Sequence, residues 1–299
     1  MKSVGWPGKK LIWVLFILFF FAGCNMYFQT TRDQMVVHPE EHSVSRGRNL
    51  AFIICAGCHY DPSVKKFRGR PLNDLPRIAG QLYSANLTHS LTNGIPPHYS
   101  DAELFYLLKT GISRTGEFMP YMMRPTMADE DAEDIIAFLR SNDASLEAAD
   151  TTIGITRINF IGKTGLRIIA SPQVYNKGVS RPDETNAKEY GRYLVGIVGC
   201  YHCHSGTALG LNYADPEKSK KYLQGGQKLK DAKGKKIISA DITGNPSTGI
   251  GSFSEEDFRK AVKEGIDPSG RHLSPPMPRF DSLTNNQAHA LFAYLMTIR

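Results

Sequence analysis

Two copies of one short pattern, Cys-x-x-Cys-His, contain most of the residues in this chain that could do chemistry. They are Cys55, Cys58 and His59 in the first copy and Cys200, Cys203 and His204 in the second. Two intervening residues make about one helical turn, which sets the thiols at the spacing of the two haem vinyl groups, and the adjacent histidine can then ligate the iron. The pattern therefore predicts two covalently bound c-type haems.

A zinc site and a thioredoxin-like redox pair are the competing interpretations of such a motif. Zinc would need a second cysteine pair close by in the sequence. The fifth cysteine, Cys24, lies instead at the end of an apolar N-terminal run, and no cysteine is left over for a disulfide. Because the motif also occurs twice, each time after an amphipathic segment, haem is the favoured interpretation.

A haem iron that is bound by histidine on one side needs a sixth ligand on the other side. Met277 lies in a proline-rich loop in the second copy and is the predicted ligand there, because a thioether opposite histidine raises the reduction potential. In the first copy, an offset of 155 residues places Met122 opposite Met277, so Met122 is the predicted ligand, with Met119 and Met123 as alternatives. Met127 is expected in the core. Further histidines are expected in loops or at the surface: His89, His98, His202, His272 and His289.

The chain repeats itself over about 155 residues. Residues 84–88, Ser-Ala-Asn-Leu-Thr, return as residues 239–243, Ser-Ala-Asp-Ile-Thr. The motif cysteines are offset by only 145 residues, so the second copy has about ten additional residues after its motif. We expect these residues in the lysine-rich stretch 218–236. A solvated surface loop is the favoured interpretation of that stretch, and a docking patch for an acidic partner is the alternative.

Each copy has a helical pattern, because its apolar residues recur at helical spacing. Ser100 and Ser254, each with an acidic residue three positions later, predict capped helix starts, and Gly111 and Gly265 predict helix ends. Two of the predicted helices run into the Cys-x-x-Cys-His motifs, and two others close the repeats with apolar faces. The predicted helices that frame the two copies cover residues 46–54, 129–140, 188–198 and 285–298.

The N-terminus has the features of a secretory signal, which we expect at residues 1–23. Two lysines precede a short apolar run, residues 11–22, which is followed by Gly23 and Cys24. The run is well below the roughly 20 residues that a membrane-spanning helix needs. The ending Phe-Ala-Gly-Cys resembles a bacterial lipoprotein box, in which Cys24 would be acylated and become the new N-terminus. An uncleaved helical anchor is the alternative, and both interpretations place the body outside the cytoplasm.

Composition indicates a globular protein, with 41% hydrophobic and 22% charged residues. The formal net charge of +7 and the pI of about 9.1 could suggest an anionic partner. Part of this charge lies in the expected signal, however, and two haems would add about four propionate carboxylates. The mature protein would then be near neutral, so the charge does not indicate a nucleic-acid partner.

The chain resembles the dihaem and multihaem cytochrome c subunits of bacterial membrane-bound dehydrogenases, such as those of alcohol and gluconate dehydrogenases. The resemblance covers both copies, and it is carried in the second copy by residues 190–204, 239–243, 248–251 and 270–278. It implies haem attachment at the four motif cysteines, proximal ligation by the two motif histidines, and distal ligation by Met122 and Met277. Those subunits usually carry three haems, whereas this chain has two motifs.

We therefore expect an all-α protein with two tandem cytochrome c-like domains, each wrapped around one haem. The expected domains are residues 42–142 and 183–299, joined by an ordered crossover linker at 143–182. The expected place is the periplasmic side of a bacterial membrane, held by the lipid anchor.

The expected function is single-electron transfer between a membrane or periplasmic dehydrogenase, or a quinol-oxidising complex, and a terminal acceptor. The redox partners are proteins, and no nucleic acid is expected. The sequence contains no constellation of catalytic residues, so the chain is not expected to be an enzyme. The alternative is a dihaem peroxidase-like or thiosulfate dehydrogenase-like enzyme with one open haem. A haem-based sensor or structural subunit is a third class, and no signalling domain supports it.

Overall fold

The computed structural model describes residues 35–72, 75–150, 154–231 and 234–299. Cys24 and the expected signal lie outside these residues. Helices predominate in the described part, as predicted, and none of them is long and apolar enough to cross a membrane. Short strands also form two small sheets, which the all-α expectation did not include.

The described residues contain nine α-helices. Those at the start and end of each repeat begin and end within three residues of the predicted bounds. The helices are α1 (Val44–Ile54), α2 (Ala56–His59), α3 (Asp101–Thr110), α4 (Asp129–Arg140), α5 (Phe160–Ile169), α6 (Ala187–Val198), α7 (Cys200–His204), α8 (Glu255–Glu264) and α9 (Asn285–Leu295).

Local capping explains where α3 and α8 begin and end. Ser100 and Ser254 each form a complete capping box with the acidic residue three positions later, which satisfies otherwise unpaired N–H groups of the first turn. Gly111 and Gly265 end these helices in the left-handed conformation, with φ of 77° and 70°. The capping signals predicted from the sequence are therefore confirmed in both copies.

Two small antiparallel sheets lie after the two motifs. In the first copy β1 (Pro71–Leu72) pairs with β2 (Gly80–Tyr83), which also pairs with β3 (Arg157–Ile158). In the second copy β4 (Lys228–Lys230) and β5 (Lys236–Ile238) form a two-stranded hairpin. Strand β3 and helix α5 come from the predicted crossover segment. Part of this segment therefore extends the sheet of the first copy.

In each copy the first helix crosses the last helix at a glycine. A Cβ atom on Gly47 of α1 would lie 1.7 Å from the carbonyl oxygen of Asp134 in α4, and one on Gly191 of α6 would lie 1.9 Å from that of Ala290 in α9. Only glycine permits so close an approach of two backbones. Helical spacing predicts that seven apolar residues of α4 and α9 face the core. Six of them are buried and Phe292 is half-buried: Ile135, Ile136, Leu139, Ala288, Leu291 and Leu295 are the buried ones.

The two halves are joined through buried polar groups as well as through contacts between α1 and α6. The Asp131 carboxylate of α4 is fully buried and accepts hydrogen bonds from Arg46, Arg181 and the Tyr193 hydroxyl. Asn49 of α1 accepts a hydrogen bond of 2.7 Å from the Gln287 side chain of α9. Because buried polar groups are costly without partners, these contacts hold the two halves in one arrangement.

The additional residues of the second copy lie earlier than we expected. The carbonyl of His59 accepts a hydrogen bond from the N–H of Gly69, and the carbonyl of His204 accepts the equivalent bond from Gly225, at 2.8 and 2.6 Å. The second pair is separated by about ten more residues than the first. The insertion therefore lies between His204 and Gly225, and only its end overlaps the lysine-rich stretch 218–236.

Candidate haem-binding sites

Each Cys-x-x-Cys-His motif forms one short helical turn after an amphipathic helix. In the first copy α1 ends at Ile54, and Cys55 caps both α1 and the motif turn α2. In the second copy Gly199, with φ of 83°, separates α6 from the motif turn α7. Residues three positions apart lie on the same side of a helix, so each turn presents its two cysteines together. None of the four motif cysteines forms a disulfide.

A main-chain carbonyl orients the histidine of each motif. Nδ1 of His59 lies 2.8 Å from the carbonyl oxygen of Ala85, and Nδ1 of His204 lies 2.7 Å from that of Ala240. A carbonyl oxygen can only accept, so Nδ1 must be the protonated nitrogen of both rings. Nε2 of each ring is then left free to bind a metal. Metal-ligating histidines usually donate their other ring N–H to a carbonyl or carboxylate in this way.

The surroundings of these histidines favour the neutral ring. Burial lowers the pKa of His59, and the hydrogen bond to Ala85 only partly opposes this effect. Burial likewise lowers the pKa of the half-buried His204, against the opposing effect of the bond to Ala240. Because iron is bound by the neutral imidazole, both sites are prepared for a ligand bond at neutral pH.

The first motif lies on a deep cavity of about 740 Å³, which is within the range of about 300–1,000 Å³ for cofactor sites. Cys55, Cys58 and His59 line one side of it. Met119 and Met122 both line the same cavity, so the structure brings the predicted Met122 and one of its alternatives together with the motif. The remaining wall is mostly apolar and includes Ile54, Leu72, Leu82, Leu104, Leu108, Ile135 and Leu139.

The cavity reduces the four methionines of this loop to two candidates. Met123 is 1% exposed and Met127 is fully buried, and neither is among the residues that line the cavity. Met127 thus occupies the core position predicted for it. The structure does not favour Met123 as a ligand, whereas Met119 and Met122 are both half-buried on the cavity wall.

The equivalent loop of the second copy contains Met277, which is half-buried between α8 and α9. Both loops are held at their ends by equivalent main-chain bonds, from Met119 and Leu273 to the glycines that end α3 and α8. Within the loops, the N–H groups of Met122 and Met277 each donate to the carbonyl of the residue three positions earlier. Both loops therefore contain the same kind of turn, although Met123 also makes a bond of this kind, to Pro120.

The pKa values of the cysteines argue against a redox-active thiol pair. Burial raises the pKa of Cys55 and of Cys200 to about 12. A reactive dithiol needs the opposite, a lowered pKa in an electropositive setting. The thiols, the oriented histidines and the large apolar cavity together fit a covalently attached haem better than they fit zinc or disulfide exchange.

Arg124 is a site residue that sequence reasoning missed. Its side chain lines the first cavity, and its Nε donates a 2.9 Å hydrogen bond to the carbonyl of Ile197, near the end of α6. Nη1 donates to the carbonyls of Tyr121 and Met123. Among the described residues, no carboxylate lies within ion-pair distance of this guanidinium. No sequence motif marks it, because the contact joins two distant parts of the chain.

The other histidines expected in loops or at the surface are exposed or half-buried, and His202 alone differs from the expectation. His98, His272 and His289 are exposed, and His89 is half-buried with a bond to the Leu139 carbonyl. His202 was expected at the surface. Its ring instead packs between Tyr201 and Tyr213, and its Nε2 is buried with no hydrogen-bond partner among the described residues.

No protein family model matches the chain. The chain does match individual proteins of known function. The fructose dehydrogenase cytochrome subunit of Gluconobacter japonicus is 28% identical over 269 residues, which cover 85% of this chain and 51% of that subunit. The cytochrome c subunit of the quinone-dependent alcohol dehydrogenase of Gluconobacter oxydans is 36% identical over 36% of this chain and 20% of its own length. The gluconate 2-dehydrogenase cytochrome c subunit of Pantoea cypripedii is 33% identical over 36% of this chain and 22% of its own length.

The chain is thus similar to cytochrome c subunits of fructose, alcohol and gluconate dehydrogenases, which confirms the resemblance predicted from the motifs. These relatives are cytochrome subunits, not catalytic subunits, in agreement with the prediction that this chain is not itself an enzyme. The matched part spans about half of the first relative and about a fifth of the other two.

Proposed function

We propose that the chain is a dihaem c-type cytochrome with two cytochrome c-like domains, which receives single electrons from a dehydrogenase and passes them to an acceptor. The observation that carries this proposal is the repeated anchoring of the motif histidine. In both copies Nδ1 is bound to a main-chain carbonyl 2.7–2.8 Å away, and Nε2 is left for a metal. The presence of the same histidine hydrogen bond in both copies supports two equivalent haem sites.

The proposed roles follow from the residues at each site. Cys55 and Cys58 attach the first haem, and His59 is its proximal ligand. Cys200 and Cys203 attach the second haem, and His204 is its proximal ligand. Each haem, when bound, supplies reversible one-electron chemistry.

Methionine is the proposed distal ligand at both sites. Met277 serves the second haem, and Met122 serves the first, with Met119 as the alternative on the same cavity wall. A thioether opposite histidine leaves no open position for a substrate and favours the reduced iron. The protein then positions the ligands, excludes water from the apolar cavity and sets the potentials, as an electron carrier requires.

The proposal includes export and membrane attachment. The short apolar segment before Cys24 and the lipoprotein-like box support acylation at that residue and a periplasmic position on a bacterial membrane. The similarity to dehydrogenase cytochrome subunits supports a dehydrogenase as electron donor. A terminal acceptor or a quinol-oxidising complex completes the proposed route.

The haem count is tested directly by intact-protein mass and by a redox titration. We expect the mass of the processed chain plus two haems, and two one-electron steps in the titration. Acid-acetone extraction should leave both haems on the protein, because they are covalently attached. One haem, or haem released into the solvent, would contradict the proposal.

The distal ligands are tested by matched alanine variants. Met277→Ala should leave the second haem attached but convert it to a high-spin or otherwise religated form with a lower potential. Met122→Ala should do the same to the first haem, while Met119→Ala should preserve its low-spin spectrum. The reverse result for Met119 and Met122 would assign Met119 as the ligand. Rapid hydrogen peroxide turnover by the unaltered protein would favour the peroxidase-like alternative.

A further inference from the structure

The hairpins β4–β5 and β1–β2 occupy equivalent places in the two copies. Each lies in the chain between two main-chain groups that form hydrogen bonds with a motif histidine. Each hairpin is preceded by the glycine whose N–H binds the motif histidine's carbonyl, Gly69 or Gly225. Each ends two residues before the carbonyl that holds the histidine Nδ1, on Ala85 or Ala240. Strands β2 and β5 are therefore equivalent elements of the two copies.

In the first copy the outer edge of β2 is covered by the chain itself. Strand β3 pairs with it, with Gln81 opposite Arg157. The main chain of Tyr83 is satisfied by the Thr156 hydroxyl, which accepts from its N–H at 2.9 Å and donates to its carbonyl at 2.8 Å. Helix α5 then follows directly. The outer edge of β2 therefore accepts an extended segment as an additional antiparallel strand.

In the second copy the same edge has no such cover among the described residues. The hairpin bonds from Ser239 to Gln227 and from Asp231 to Lys235 show that odd-numbered residues of β5 face β4. Antiparallel pairing alternates, so the N–H and C=O groups of Lys236 and Ile238 point outward. No hydrogen bond within the described residues satisfies them, and the Ile238 side chain is 70% exposed.

The side chains along this edge carry one sign of charge. Lys228, Lys230 and Lys236 are exposed on the same face as Ile238, and Lys230 lies directly opposite Lys236. Like charges in directly opposed positions destabilise a hairpin. Among the described residues none of the three lysines forms an ion pair, so an acidic partner would relieve this repulsion.

We propose that the outer edge of β5 is a docking site for an acidic, extended segment of a partner protein, which adds to the hairpin as a third strand. Strand addition uses the free main-chain groups for affinity and side chains for specificity. A second copy of this chain is a poor occupant, because pairing β5 with another β5 would bring lysines together. If the lysines on this edge served only to prevent aggregation, an acidic strand would not bind there saturably.

The site matters for electron transfer if the proposed function holds, since Ile238 lies two residues from the carbonyl that orients His204. At about 3.3 Å per strand residue and about 4.8 Å between neighbouring strands, a bound segment would come within about 8 Å of that carbonyl. A partner docked here would approach the second haem and not the first, whose equivalent edge is already covered.

The test uses the full holoprotein and a synthetic ten-residue peptide that alternates glutamate with valine and threonine. We expect saturable binding, with slowed amide hydrogen exchange at Lys236 and Ile238 and little change at Gln81 and Tyr83. Ile238→Pro removes one outward N–H but no bond within the hairpin, so it should fold and should weaken binding about tenfold. The double variant Lys230→Glu/Lys236→Glu should weaken it at least as much, whereas Lys177→Glu, an equal charge change at another exposed position, should not.

Unchanged binding to the Ile238→Pro variant would show that charge alone attracts the peptide and would overturn strand addition. Concentration-dependent dimerisation lost in Ile238→Pro would assign the edge to a second copy and would also overturn the proposal. The haem spectrum is read in the same samples. Peptide binding without a second haem would refute the proposed function alone, and a loaded second haem without peptide binding would refute this inference alone.

Discussion

The close crossing of α1 and α4 gives a quantitative test of how the fold supports the cavity at the first motif. In Gly47→Ala the new Cβ would lie 1.7 Å from the carbonyl oxygen of Asp134, whereas real contacts of this kind are essentially never shorter than 3.0 Å. The helices must therefore separate by more than 1 Å. Helix α4 also supplies Ile135 and Leu139 to the cavity wall, so the separation should disturb the haem site.

The expected cost follows from two opposing effects. Overpacking costs about 1–3 kcal/mol, and the upper end applies because the obstacle is backbone and not a movable side chain. Replacing a helical glycine by alanine returns about 0.5–1 kcal/mol. The net loss is then about 2 kcal/mol, which lowers Tm by about 4–8 °C for a protein of this size. Gly191→Ala, with its contact of 1.9 Å to Ala290, should behave in the same way.

Thermal unfolding of the holoprotein, followed by circular dichroism and by the Soret band, measures this loss. Gly165→Ala is the matched control, because Gly165 lies in helix α5 and a Cβ there would meet nothing within 4 Å. The control should be as stable as the unaltered protein or slightly more stable. If Gly47→Ala unfolds at the same temperature as Gly165→Ala, the helices do not cross as described and the reasoning fails.

Three further predictions concern charge, the contact between the halves, and the anchor. Arg124→Gln should lower the potential of the first haem by on the order of 50 mV, because loss of a nearby cation favours the oxidised iron by on the order of 1 kcal/mol at an effective dielectric constant of about 20. Potentiometry with Lys177→Gln as control measures this shift. Asp131→Asn should lower the free energy of unfolding by about 3 kcal/mol in urea titrations, because it removes the fully buried charge that pairs with the half-buried Arg46 and Arg181. Cys24→Ser should abolish labelling with radioactive fatty acid and release the body from membranes, and normal labelling would contradict the lipoprotein interpretation.

The parts of the fold that depend on local signals could be predicted from the sequence. The capping boxes at Ser100 and Ser254 and the left-handed glycines at positions 111 and 265 act within one helical turn, so their residues are neighbours in the chain. The motif turns follow in the same way from residue spacing. The strands could not be predicted, because β3 is two residues long and pairs with β2 from more than 70 residues away. Such pairing leaves no periodic pattern in either segment.

The methionine loops show why the repeat alone could not decide between Met119, Met122 and Met123 as the proposed ligand of the first haem. The main-chain bonds that hold the loops join Met119 and Leu273 to α3 and α8 at one end, and Arg124 and Phe280 at the other. Between these points the second loop is two residues longer. No single offset is then valid throughout the loop, and only the cavity wall, which includes Met119 and Met122 but not Met123, reduces the choice.

The contacts around Arg124 bear on whether the two sites act independently. The side chain lines the first cavity and binds the carbonyl of Ile197, three residues before Cys200. Burial raises the pKa values of Cys55 in the first motif and of Tyr201 in the second, and the charge of Arg124 partly opposes this rise at both residues. One fixed cation therefore acts on both motifs, and the buried bonds of Asp131 and Asn49 keep their separation constant. Two separate carriers on a flexible tether would need neither feature. This arrangement therefore supports the proposed function, in which each motif holds one haem and an electron passes from one to the other.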